Sequence, residues 1–518
     1  MKFFSIAGPV RPEDHYCLPL ATRLNEHELR ELIEQKKYFI LHAPRQTGKT
    51  STMINFARQL NMESEYTALY VNVESAQAAR SNYIKGIATI LEQFFTRIKD
   101  QLPEEHHIIA YLAQLLKQEN YTGSSLNSML NEWSTHTTKP IVLFIDEIDS
   151  LVGDTLISVL RQLRSGYDQR PSGFPQSICL IGVRDVRDYR IWSDEQQAMI
   201  LGGSAFNIKT KSIRMADFTE AEVHTLFLQH TAETGQKFDD DAIAYAFEIT
   251  QGQPWLVNAL AQEACFELQT DRTKPITKNI IERAKEILIK RRDTHLDVLI
   301  DRLQEPRVRN IIDAIITGNI KTADELKQDD ILYARDLGLI KLKGLEIANP
   351  IYQEVIPREL TYAKQEEMIQ DIKWYQNPDG SLNMHLLLEA FTEFYRENSA
   401  DWLADCRYKE SGPHLLMMAF LQRVINGGGK IHREYALARK RLDLLLAWNK
   451  QKFVIELKVF RDAKTEPDGL LQTAEYMDIA GALEGHLIIF DKSAKNWEEK
   501  IYNRQETVGN KTITVWGM

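Results

Sequence analysis

Apolar residues come in short blocks through the first 210 positions. Residues 38–41, 68–73, 141–145 and 178–183 form nearly unbroken apolar runs, the pattern of strands buried on both faces. Between them, residues 50–60, 82–98 and 156–164 repeat apolar positions at helical spacing. Strands alternating with helices predict a parallel sheet covered on both sides. From 216 to 292 the pattern is wholly helical, with helices predicted over 220–234, 239–250, 255–268 and 278–292. Residues 295–360 read as helices followed by a hairpin, 339–342 against 345–347, turned at Gly344. Helices with a two-strand wing predict a winged helix. Residues 361–430 are again mostly helical, with a turn at 377–380. After a glycine run at 427–429, strands are predicted over 435–437, 441–448, 453–460, 486–490 and 512–516. No internal repeat of fixed period is visible.

A chain of 518 residues implies roughly three to five domains. With 43% hydrophobic and 26% charged residues, the composition is that of a globular protein and excludes global disorder or a disulfide scaffold. The net charge of −10 confines any nucleic-acid site to a local basic patch. Cys17, Cys179, Cys265 and Cys406 are scattered singly, which gives no zinc motif and fits reduced thiols in a cytoplasm. The N-terminus makes a poor signal peptide. Apolar runs of about five residues fall far short of the roughly 20 a membrane span needs. The expectation is a soluble cytoplasmic protein that does not touch a membrane.

The predicted strand at 38–41 runs into His42-Ala43-Pro44-Arg45-Gln46-Thr47-Gly48-Lys49-Thr50-Ser51. This nearly matches GxxxxGK followed by Ser or Thr, with Ala43 at the first glycine. Such a loop offers backbone N–H groups and a helix N-terminus to phosphates. Lys49 is then placed to reach the β- and γ-phosphates of ATP, and Thr50 to ligate magnesium. The strand at 141–145 ends in Asp146-Glu147, a carboxylate for the magnesium shell and a base for the attacking water. The strand at 178–183 ends at Arg184, a candidate γ-phosphate sensor. Gly252-Gln253-Pro254 opens a later helix.

These elements together resemble the STAND-type and archaeal-type ATPases of the AAA+ kindred, and most closely the bacterial AAA-like domain ATPases. The segment GLEIANPIYQEVIPREL at 344–360 looks typical of that group. The resemblance spans about residues 10–360. It implies that Gly252 and Pro254 touch nucleotide and that the winged helix closes over it as a regulatory element, with direct DNA contact as the other reading. It also implies ATP-dependent homo-oligomers, with Arg161 or Arg164 reaching a neighbour's site. Ala43 fits the pattern because that position needs a small residue more than a flexible one.

A second chemistry follows. Asp443 precedes Glu456-x-Lys458 across a turn at 449–450. A hairpin turned there pairs residues whose numbers sum to 899, so Asp443 lies opposite Glu456. Directly opposed Cβ atoms stand about 4.5–5.5 Å apart, and Lys458 shares the face of Glu456. Two carboxylates among Leu442, Leu444, Leu445, Val454 and Ile455 are costly without a cation. Their oxygen-only ligand set suits magnesium or manganese. The constellation resembles the PD-(D/E)XK nuclease superfamily over about residues 385–518. The resemblance makes Asp443 and Glu456 metal ligands and Lys458 catalytic, with Gln472 and Tyr476 as a Q-x-x-x-Y element. One departure is that 413–424 offers no glutamate. His432-Arg433 with Arg439-Lys440-Arg441 forms a basic patch suited to DNA.

The expected fold class is a multidomain α/β protein. A P-loop ATPase core (1–215), helical lid (216–293), winged helix (294–362) and helical linker (363–410) precede a restriction-endonuclease-like domain (411–518). The expected function is ATP-regulated, metal-dependent hydrolysis of DNA, of a kind that serves bacterial defence against foreign DNA, under an unidentified trigger or partner protein. The alternative is an ATP-switch scaffold whose nuclease-like domain only binds nucleic acid or a partner.

Overall fold

The structure is a computed structural model. It describes all residues except 119–120, 186–188, 194–197, 292–293, 317–325, 361–374, 406–411, 426–428, 438–439, 450 and 494. The chain divides into two compact units, residues 1–295 with 332–342 and residues 296–331 with 343–518.

The first unit is built on β1 (Tyr38–His42), β2 (Thr67–Asn72), β3 (Ile141–Asp146) and β4 (Ser177–Gly182). They are joined by a short antiparallel pair, β5 (Arg190–Ser193) with β6 (Ala198–Leu201), and by β7 (Lys209–Arg214). The main sheet has the order β2-β3-β4-β1-β7, and every neighbour is parallel. Alternate side chains feed two cores. Tyr38, Ile40, Leu143, Ile145, Ile178 and Leu180 face helices Tyr83–Gln101, Ser125–Thr135 and Gly153–Ser165. Phe39, Leu41, Val142, Phe144, Cys179 and Ile181 face helices Glu26–Glu34 and Lys49–Glu63. Burial on both faces is why the strand sequences are unbroken apolar runs.

The predicted strands at the sheet centre form within a residue or two. β7 was missed in the sequence, since Lys209-Thr210-Lys211-Ser212-Ile213-Arg214 is a half-exposed edge strand and edges carry charge. The helical segment forms as Glu220–Thr234, Asp240–Thr250, Pro254–Gln262 and Lys278–Arg291. A reciprocal Thr219–Glu222 capping box starts the first of these. The third, expected to run to residue 268, leaves α geometry after Gln262 and continues as a π turn, Glu263–Leu268. The N-terminal segment straps this layer. Phe4 and Tyr16 are buried against Phe227 and His230, and Trp255 Nε1 donates to Ile6 O at 2.8 Å.

The second unit carries a six-stranded mixed sheet of β8 (Gly429–Leu437), β9 (Lys440–Trp448), β10 (Gln451–Val459), β11 (Glu484–Phe490), β12 (Tyr502–Val508) and β13 (Lys511–Gly517). Its order is β12-β13-β11-β10-β9-β8. The β8-β9-β10 meander and the β12-β13 pair are antiparallel, while β10-β11 and β11-β13 are parallel. Helix Thr465–Ala480 packs on one face through Ala474, Tyr476, Met477 and Ala480 against Val454, Leu487 and Val515. β12 was missed in the sequence because its run of Asn503, Arg504, Gln505 and Glu506 is largely exposed.

The hairpin expected at 339–347 is not a ladder. Ile340 and Ile347 are single bridge residues separated by bends, and the chain passes between the two units in this stretch. Lys341, Lys343 and Glu346 leave too few apolar positions to bury a strand face. No helix among the described residues is long and apolar enough to cross a membrane.

Gly252 has φ 77°, and a Cβ there would stand 1.8 Å from Phe218 O. Gly252→Ala should therefore destabilise the first unit by more than the roughly 1–3 kcal/mol of backbone strain alone. Denaturant unfolding measures this, and unchanged stability would contradict the packing.

Candidate active site

The loop after β1 and the acids after β3 meet at the C-terminal ends of the strands, with β4 between β1 and β3 in the sheet. In open α/β sheets ligands bind at this edge. Ala43 is fully buried, its N–H donates to Gly182 O at 3.2 Å, and its backbone stays out of the left-handed region. A small residue therefore suffices there. Gly48 is different, because its φ is 93° and it caps helix Lys49–Glu63. Thr47 Oγ1 donates to Pro44 O at 2.9 Å and Lys49 Nζ donates to the carbonyls of Ala43 and Pro44, each at 2.8 Å. Burial pulls the Lys49 ammonium below the usual lysine range, against Asp146, Glu147 and Asp149. Arg45 is exposed. Gln46 bonds His295, whose ring stacks on Trp255 with centroids 4.9 Å apart. Ser51 Oγ accepts from Val10 N at 2.8 Å.

Asp146 is fully buried. Its Oδ2 accepts from Thr50 Oγ1 and from Tyr70 OH, both at 2.6 Å, and its Oδ1 accepts from Glu147 N at 2.8 Å. Burial, then Asp149 and Asp146, push the Glu147 carboxyl up to about 7. That is the range in which a carboxylate can take a proton from water at neutral pH. The structure thus brings Thr50, Asp146 and Glu147 together, and adds Tyr70, which no sequence signal marked.

Residues 38–147 follow the P-loop order of strand, loop, helix and acid-tipped strand. Residues 19–354, more than half of the chain, match the family described as AAA-like domain. The chain belongs to that family. The AAA-like domain is a P-loop ATPase, and its fold implies ATP binding. Among solved structures the chain is similar to a Walker-type ATPase of Pyrococcus abyssi, at 16% identity over 68% of this chain and 99% of that one, TM-score 0.46. It is also similar to the Holliday junction branch migration motor RuvB of Thermotoga maritima, at 12% identity over 65% and 97%, TM-score 0.33. A third is Cdc6p of Pyrobaculum aerophilum, at 13% identity over 73% and 93%, TM-score 0.35. No protein of curated function matches the chain in sequence.

Arg184 Nε lies 3.5 Å from Asp336 Oδ2, and its guanidinium sits 4.9 Å from the Tyr333 ring centre. Arg214 shares Asp336, with Nη1 donating to Oδ1 at 3.0 Å, and also donates to Arg335 O at 2.9 Å. Neither partner was foreseen, since residues 333–336 lie some 150 positions from Arg184. Gly252 and Pro254 are buried at the start of helix Pro254–Gln262, with Gly252 O accepting from Phe218 N at 2.8 Å. Arg161 and Arg164 are exposed on helix Gly153–Ser165.

In the second unit, β9 and β10 pair from Gln451↔Trp448 to Ile455↔Leu444, the register whose numbers sum to 899. Beyond the last pair, Asp443 Oδ2 accepts from Leu457 N at 2.9 Å. Glu456 is buried, and Lys458 Nζ donates to its Oε1 at 2.6 Å. Glu456 Oε2 and Gln472 Oε1 are buried without a partner. Burial, then Asp443, raise the Glu456 carboxyl well above the carboxylate range. Burial opposes the charge of Lys458, but Glu456, Asp443 and Asp468 more than offset it and hold its ammonium above the usual value. Tyr476, packed in the core beneath the helix, is raised by burial and then by Glu456 and Asp443. Helix Gly412–Ile425 carries no acidic residue. The side chains of His432, Arg433, Lys440 and Arg441, and all of Arg439, lie outside the described residues.

The raised Glu147 carboxyl makes the stability of the first unit pH-dependent. The carboxyl titrates near 4.5 unfolded and near 7 folded, so the folded state binds more protons between these values and stability falls as pH rises through that window. Glu147→Gln removes this loss. Nucleotide-free Glu147→Gln should melt above wild type at pH 7.5, with the gap closing toward pH 4.5. Parallel melting curves at all pH values would refute the assignment.

Proposed function

We propose that the chain is an ATP-switched, metal-dependent nuclease that hydrolyses DNA. The observation that carries the nuclease half is the buried Glu456 with one oxygen unpartnered, beside Asp443 and Lys458. A buried carboxylate oxygen without a donor is costly, and the oxygen-only donor set of Asp443 and Glu456 fits magnesium or manganese. Such an ion, when bound, activates water and neutralises phosphoryl charge. Lys458 releases Glu456 and turns its ammonium toward the scissile phosphate. Gln472, with its free buried oxygen, orients the nucleophilic water. Tyr476 lines the same face.

In the ATPase half, Thr50 and Asp146 would hold magnesium, and Glu147 takes the proton of the attacking water. Arg184 is the switch. The γ-phosphate of ATP competes with Asp336 for its guanidinium, so ATP and not ADP loosens residues 333–336. The absence of an acid on helix Gly412–Ile425 favours the second reading, a scaffold that binds DNA without cutting it.

The switch predicts that Arg184→Ala weakens ATP more than ADP, by the roughly 1.5–3 kcal/mol of a charge-assisted contact. Asp336→Asn should tighten ATP selectively. Equal changes for both nucleotides in calorimetric titrations would remove Arg184 from the γ-phosphate.

For the nuclease, plasmid cleavage with magnesium or manganese should vanish in Asp443→Ala, Glu456→Ala and Lys458→Ala while the ATP hydrolysis rate stays unchanged. Lys49→Ala should alter cleavage with those residues intact. Cleavage that persists in the Asp443→Ala, Lys458→Ala double variant would discard this site. DNA binding without cleavage in the wild type would establish the scaffold reading.

A further inference from the structure

Away from both sites, the first unit brings together three side chains that neither chemistry uses. His107 is the first residue of helix His107–Gln118, Glu132 lies in helix Ser125–Thr135, and His136 caps that helix one turn later. Glu132 Oε1 is 3.1 Å from His107 Nε2 and 3.3 Å from His136 Nδ1. One ligand atom from each residue lies within 4.8 Å of the other two. The imidazoles are stacked, with centroids 4.3 Å apart and planes 3° from parallel. His136 Nδ1 also donates to the carbonyl oxygen of Glu132 at 3.0 Å, a bond it gives up when it ligates an ion.

We infer that His107, Glu132 and His136 form a binding site for a borderline divalent cation of the zinc class. Metal–ligand bonds of about 2.1 Å in tetrahedral geometry put ligand atoms about 3.4 Å apart. The two Glu132 contacts already match that spacing. Two imidazoles and one carboxylate are the donor set of zinc, cobalt or nickel, and not of magnesium. Glu132 and His136 stand four residues apart on one helix face, and the third ligand comes from the neighbouring helix. Binding requires the rings to turn out of their parallel stack so that both lone pairs converge. The remaining position stays open to water.

Such an ion ties the start of one helix to the end of the next. Ile108, Leu112, Met129 and Trp133 on these helices sit in the core that covers the parallel sheet. A cation bound only by the folded chain raises its melting temperature, and this gives a readout independent of ATP and DNA. His107 and His136 side chains are each 47% exposed, so their replacement removes no core packing.

The test uses the full chain without nucleotide, dialysed against zinc and assayed for bound metal. Wild type and Glu456→Ala should each retain a zinc ion that His107→Ala and His136→Ala lose, with affinity reduced about tenfold or more. Zinc should raise the melting temperature of wild type and not of the two histidine variants. Cobalt should give a visible absorption band in wild type and Glu456→Ala and in neither histidine variant. Glu132→Gln, which keeps the shape of the side chain, should weaken zinc without changing the metal-free melting temperature. Zinc retained equally by the histidine variants, or no zinc retained by wild type, overturns the site.

Discussion

A fully buried carboxylate at the tip of a parallel strand is the constraint on which the first unit turns. Asp146 keeps no solvent, so its oxygens must be satisfied from the protein. They draw a hydroxyl from the phosphate-loop helix, a phenol from β2 and the backbone N–H of Glu147. Those bonds hold loop, sheet edge and acid tip in one geometry. They also place Glu147 in the left-handed region, φ 58°, beside Asp146 and Asp149, where its proton affinity rises. The same residues that stabilise the strand end therefore prepare it for chemistry.

The second unit resolves a similar problem incompletely. Glu456 is as deeply buried, yet only one of its oxygens has a donor, and that donor is Lys458. Asp443 ends the β9–β10 ladder by taking the N–H of Leu457 in place of a backbone bond. Strand pairing thus stops where the two acids converge. A polar group left unsatisfied in a packed interior is a functional signal, because ordinary folding would remove it.

The two units differ in how charge is used. In the first, Asp336 gathers Arg184 and Arg214 from two strand ends, so one residue late in the chain holds two early ones. These pairs are largely buried, with side chains 13–24% exposed, so removing one partner leaves the charge of the others poorly compensated.

The sequence by itself determined the periodic and the local. Short runs such as Ile141–Asp146, rich in β-branched and aromatic residues and alternating with helical segments, read as strands buried on both faces. Gly48 before Lys49 marks a helix entry, and the turn at Asn449 set the register that puts Asp443 near Glu456. Tertiary structure alone decided what has no local pattern. β7 and β12 are polar edges, stabilised by their neighbours and not by their own hydrophobicity. Tyr70 reads as one more residue of an apolar run until strand pairing puts it next to Asp146. The hairpin expected at 339–347 failed because a short apolar stretch cannot fix its own partner. His107, some 25 residues from Glu132, meets it only because two helices pack side by side, and contacts of that range are set by the core beneath them.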